Sequence, residues 1–288
     1  MNWFFLTIVC FFLYGIQRFL YKVSAERNCN TAWTTLSFMG TVALLSTVLW
    51  FASDEALRNL NWLLALAAIN SLTFFVDTVV TIEALRYLPT TIVYPMTRMS
   101  AVLAVLFSIF YFHDSLNGYQ IAGIILAIGV IMTLTRFSEE ERQGNRNIRK
   151  GLILIGLAVL SGAVAAVSSK FAALHTNSLA FIALTYSLSM LFSLGFRKPF
   201  EKEGASRRYG EALLIGFILG LVNFAAFFIL LRAMETGPLS IIVPVVGMNF
   251  VIANILAVVI YREKLTVLKT AGIFMTVLSL LLMKLGQN

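Results

Sequence analysis

Ten apolar runs, each close to the length of a bilayer-crossing helix, follow one another along the chain. They lie at roughly 3–22, 32–52, 60–85, 90–112, 117–136, 151–173, 177–196, 210–232, 237–261 and 265–285, here numbered spans 1 to 10. A membrane helix needs about 20 mostly apolar residues, and an open sheet cannot satisfy its backbone groups in lipid. The runs are long and do not alternate in polarity, so helices are expected throughout. The fold class this implies is an all-α integral membrane protein of ten transmembrane helices. Only 12% of the residues are charged, about half the share of a soluble domain, as fits a chain whose main solvent is lipid. The opening MNWFFLTIVCFFLYGI has no basic region ahead of its apolar stretch, so it reads as span 1 and not as a cleavable signal.

The basic residues report topology. Sixteen of the 22 Lys and Arg fall in the gaps after odd-numbered spans, and only Arg58, Arg232 and Lys284 follow even-numbered ones. By the positive-inside rule this bias places both termini outside a plasma (inner) membrane that the chain crosses many times. Two gaps, 137–150 and 197–211, are long and heavily charged. The basic residues behind the net charge of +8 sit mostly in the gaps between the apolar runs, so nucleic acid is not an expected partner. Cys10 and Cys29 have neither metal-ligand spacing nor the density of a disulfide scaffold. The chain has no GxxxxGK[ST] phosphate loop, no HExxH and no Cys/His cluster. No cofactor, no metal site and no catalytic residue is therefore expected, and the chain reads as a non-enzyme.

The second half echoes the first at an offset of 149 residues. Pro89, Ile92, Pro95, Met99 and Val102 meet Pro238, Ile241, Pro244, Met248 and Val251, and Asp114-Ser115-Leu116 meets Glu263-Lys264-Leu265. The expected organisation is a five-helix repeat over 1–136, a charged connecting loop over 137–150 and a second five-helix repeat over 151–288. Five is odd, so the second repeat must cross the membrane in the opposite sense to the first. Inverted repeats of this kind are a transporter architecture.

The residues that carry the repeat also resemble a known family. EALRYLPTTIVYPMTRMSAVLAVLFSIFYFHDSLNGYQIAGIILAIGVIM and LLRAMETGPLSIIVPVVGMNFVIANILAVVIYREKLTVLKTAGIFMTVL are similar to the end of an EamA-type domain. Tyr14-Gly15 followed by Lys22 is similar to that family's first span. The resemblance covers nearly the whole chain as two tandem domains of the drug/metabolite transporter superfamily. It implies ten helices around a central cavity lined mainly by spans 1–4 and 6–9. It also implies cytoplasmic termini, where the charge count puts them outside.

Charges inside a membrane are costly and point to function. Asp77 in span 3 and Arg98 in span 4 lie at similar distances from the intervening turn, about 15 Å along each helix, so antiparallel neighbours could pair them. Asn70, Thr73, Asp77 and Thr81 share one face of span 3 by their steps of three and four, as do Thr91, Tyr94 and Arg98 on span 4. These stripes, with Asn223 and Asn249 from the second half, form the candidate substrate-binding set. A structural ion pair between Asp77 and Arg98 is the alternative, as is simple helix tying for the two asparagines. Pro95 and Pro244, each removing a helical hydrogen bond, are candidate hinges or static bends. Arg18 and Lys170 read as side chains snorkelling to headgroups, and Gly216-x-x-x-Gly220 as a close-packing motif. The functional expectation is a secondary transporter moving a small polar or amphipathic metabolite, zwitterionic if Asp77 and Arg98 both bind it, by alternating access. Its partners would be that small molecule and the lipid bilayer, with proton or ion coupling through Asp77; the residues carry no signal of oligomeric state. A lipid flippase, a non-transporting scaffold and, further behind, an intramembrane enzyme are the rival readings.

Overall fold

In the computed structural model the described residues are 2–27, 29–53, 57–84, 87, 96–133, 148–195, 209–261 and 267–285. Within them the chain forms α1 (Trp3–Glu26), α2 (Thr31–Ala52), α3 (Leu60–Ala84), α4 (Ser100–Tyr111), α5 (Gly118–Thr133), α6 (Ile148–His175), α7 (Ser178–Gly195), α8 (Tyr209–Thr236), α9 (Leu239–Gly247), α10 (Phe250–Tyr261) and α11 (Val267–Leu285). Spans 1 to 8 correspond to α1 to α8, and span 10 to α11. Span 9 is divided between α9 and α10. Seven of the helical segments are long and apolar enough to cross a membrane, with Leu239–Ile260 taken as one, and three more are shorter apolar helices. The protein is an all-α integral membrane protein, and large apolar side chains such as Phe51 and Phe110 stand 73% and 77% exposed, as they would against lipid.

Helix starts follow from local chemistry. The Asn30 side-chain oxygen accepts from the Ala32 and Trp33 amides and caps α2, and Asn177 does the same for α7 through Leu179 and Ala180. At α5 the Asn117 oxygen accepts from the Gln120 amide at 2.9 Å while the Gln120 oxygen accepts from the Asn117 amide at 3.1 Å. That reciprocal pair satisfies two otherwise orphaned donors.

The chain divides into two compact units, each drawing on both sequence halves. Unit 1 comprises Met1–Phe75 and Ser168–Thr236; unit 2 comprises Val76–Val167 and Gly237–Asn288. In unit 1, α8 packs against α2 through the GxxxG motif: a Cβ on Gly216 would come within 2.5 Å of the Thr34 carbonyl, and one on Gly220 within 2.5 Å of the Thr41 side chain. The Ser37 hydroxyl, bonded to the Leu213 carbonyl at 2.8 Å, ties the same seam. In unit 2, α5 packs against α11, where Gly123 faces Ser279 and Met283 while Gly129 faces Met275. One index rises as the other falls, so the fifth helices of the two repeats run antiparallel. The same holds for α4 and α9, since the turn after α4 bonds the start of α9 through Asp114 and Ser240. Two inverted repeats are what this requires.

Candidate functional site

Unit 2 holds two interrupted helices. Arg98 and Met99 form a turn just before α4, and Met248 and Asn249 form one between α9 and α10. Their backbone bonds match one for one at an offset of 150. The Met99 amide donates to Met96 and that of Asn249 to Val246, at 3.0 and 3.1 Å; Ala101 bonds Arg98 and Val251 bonds Met248, both at 3.0 Å. Val102 to Met99 and Ile252 to Asn249 continue the match at 3.0 and 3.1 Å. These are i→i+3 bonds, so at each interruption the helix tightens for a turn before continuing. Pro244 lies inside α9, buried together with Ile241, Ile242 and Val245. Because Pro244 has no N–H, the Ser240 carbonyl loses its usual helical donor.

Four of the candidate binding residues belong to unit 2. Arg98 sits half-buried on the first turn, and Asp77 is half-buried on α3. Thr81, one helical turn beyond Asp77, has a buried hydroxyl with no hydrogen-bond partner. Asn249 lies on the second turn, 5% exposed, and its side-chain oxygen is likewise buried and unsatisfied. Two ion pairs among the described residues join Arg27 to Glu211 and Arg232 to Glu235. Thr91, Tyr94 and Pro95 lie outside the described residues.

The remaining candidates belong to unit 1 and are engaged there. The Asn70 amide donates to the Ser168 and Ser169 hydroxyls at 2.9 and 3.0 Å, tying α3 to α6. The Thr73 hydroxyl turns back onto its own helix, to Ile69 and Asn70. Asn223 accepts from the Tyr186 hydroxyl at 2.5 Å and donates to Gln17 at 3.1 Å. Gln17 then donates to the Tyr21 hydroxyl at 2.9 Å. This relay through α7, α8 and α1 involves Gln17 and Tyr186, which the spacing argument passed over.

Lys170 corrects the sequence reading. It is only 7% exposed and its ammonium donates to the Met234 carbonyl, near the C-terminal end of α8. The cation meets a helix end whose carbonyls lack intrahelical donors and carry partial negative charge, so it does not snorkel. His175 is the last residue of α6, half-buried and stacked 5.2 Å from Trp62. Gly162 was also missed: a Cβ there would stand 2.9 Å from that of Ser100, so its absence lets α6 close on the residue that follows the Arg98–Met99 turn.

Antiparallel repeats with matched interruptions define a multi-pass membrane protein of the kind that moves solutes across bilayers. The sequence pattern of the EamA-like transporter family matches residues 1–136 and 149–285. The chain belongs to that family, whose members are membrane transporters and not enzymes. No curated protein sequence matches it. A solved structure, named simply "Crystal structure of protein", shares the fold, with a TM-score of 0.79 at 13% identity over 99% of this chain and 97% of the other.

Proposed function

We propose that the protein is a secondary transporter that carries a small polar or amphipathic metabolite by alternating access of its two repeats, 1–136 and 151–288. The observation that carries this reading is the pair of matched interruptions in unit 2. A broken helix inside a membrane exposes backbone carbonyls and amides without forcing them into lipid, and such ends hold substrate or coupling ions in transporters. Arg98 supplies a planar donor fork suited to a carboxylate or phosphate group. The unsatisfied Asn249 oxygen and Thr81 hydroxyl favour a ligand with its own donors, because leaving such groups unpaired costs about 1–3 kcal/mol each. Asp77 takes the substrate amine or a coupling proton, and Tyr94 joins the set by its spacing from Arg98. Asn70 and Asn223, already bonded to neighbouring helices, we assign to holding the bundle.

The positive-inside count puts both termini outside, with the charged loops in the cytoplasm. Substrate or ion gradients supply the energy.

Uptake into proteoliposomes tests the reading. Arg98→Ala and Asn249→Ala are each expected to lower transport by tenfold or more (a loss of about 1.4 kcal/mol or more in the limiting step) without unfolding the protein. Wild-type rates from both variants would overturn it.

A further inference from the structure

We propose that Asp114 is a latch on α9, and that α9 swings as a unit about the Met248–Asn249 turn when the latch opens. The motion rests on the transport reading above; the bonds that define the latch do not.

The start of α9 has no side-chain cap of its own, because its N-cap residue is Pro238, which makes no side-chain hydrogen bond there. The missing acceptor comes from the other repeat, 126 residues away. One oxygen of Asp114 accepts from the Ser240 amide at 3.2 Å, the Ser240 hydroxyl at 2.7 Å and the Ser108 hydroxyl at 2.5 Å. Ser108 belongs to the last turn of α4 and, like Ser240, is fully buried. A single carboxylate therefore joins the end of α4 to the start of α9, where a negative charge also complements the helix dipole.

Strain sits beside the latch. His113 has φ 53°, a left-handed conformation unfavourable for any residue with a Cβ. The turn adopts it and aims the next side chain, Asp114, at Ser240. Non-glycine residues held this way persist where the surroundings over-determine them, and switch regions are one such setting.

The far end of α9 is a joint. The Met248 amide is shared between the Pro244 and Val245 carbonyls, both at 3.2 Å, and the Asn249 side-chain oxygen is unsatisfied. Between latch and joint, Leu239, Ile241, Ile242 and Val245 are fully buried. Their packing is apolar and non-directional. The directional hold on the start of the helix is the Asp114 oxygen.

Hydrogen–deuterium exchange of the full chain in lipid nanodiscs tests this without any substrate. In Asp114→Asn, peptides from α9 should exchange about tenfold faster, as expected for loss of a charged hydrogen-bond acceptor, with the change ending at Met248–Asn249. Ser240→Ala should loosen the same peptides less, because the carboxylate–amide bond remains. Unchanged α9 exchange in Asp114→Asn, or a rise shared equally by α5, α10 and α11, would overturn the latch. In a Ser108→Cys/Ser240→Cys protein, oxidation should stop transport and reduction restore it. Undiminished transport by the oxidised, cross-linked protein would overturn the latch while leaving the transporter reading intact.

Discussion

Asn223 illustrates how much a single buried amide holds in this protein. Tyr186 donates to its oxygen and its nitrogen donates to Gln17, so α7, α8 and α1 meet at one side chain. Asn223→Ala strands both partners, and an unsatisfied buried polar group costs about 1–3 kcal/mol. Tyr186→Phe removes one donor and leaves Asn223 its bond to Gln17, so it should cost about 1 kcal/mol. Denaturant titration in detergent should place Asn223→Ala clearly below Tyr186→Phe; equal stabilities would show that the relay does not hold these helices. Singling out Asn70, Asn223 and Asn249 as polar groups inside spans was possible from sequence alone. Which of them were already engaged was not, because spacing shows the face of one helix and not the partner on another. Ser168 and Ser169 lie 98 and 99 residues from Asn70. Lys170 failed for the same reason: a lysine near a span end usually reaches water, and only the fold brings the end of α8 to it.

At the scale of elements, glycine sets how closely helices approach. Gly216 and Gly220 lie against backbone and β-carbons of α2, where nothing flexible can yield. Gly220→Val should therefore destabilise the protein by about 1–3 kcal/mol through overpacking, seen as a lower unfolding midpoint. Gly162→Leu should act differently. Its added side chain would press on Ser100, beside the Arg98–Met99 turn, so we expect transport to fall more than stability does. A variant that loses stability and transport in proportion would argue for mere packing. The GxxxG seam was legible because small residues four apart announce a close contact. The division of span 9 was half legible. Pro244 marked a weak point in the helix, but the turn falls four residues later, and the matching backbone bonds run at an offset of 150, one more than the 149 that aligns the side chains. Which carbonyls pair at such a turn depends on neighbouring helices, and a single apolar run does not record them.

Over the whole molecule, the ten spans and their repeat were legible because lipid leaves few choices: each crossing must be helical and apolar, and both halves had to meet the same demand. Grouping was not. Each compact unit takes elements from both repeats, since helices choose neighbours by fit and not by order. The proposed orientation rests on charge alone. The variants Gln143→Cys and Gly204→Cys, each adding one cysteine within a charged loop, should react with a membrane-impermeant maleimide only from the cytoplasmic side. The native Cys10 and Cys29 are buried and should contribute little background. Labelling of both loops from outside would invert the orientation and leave the fold untouched.

The most direct measurement of the central claim, that solute is held at the paired interruptions of unit 2, is a thermal-stability screen of the purified protein. The panel would comprise amino acids, sugars, nucleosides and quaternary amines. A ligand present at 100 times its dissociation constant should add about 2.7 kcal/mol of stability. The account predicts a reproducible shift from one chemical class, lost in Arg98→Ala and in Asn249→Ala although both variants remain folded. A ligand that stabilises both variants as strongly as the wild type would contradict it.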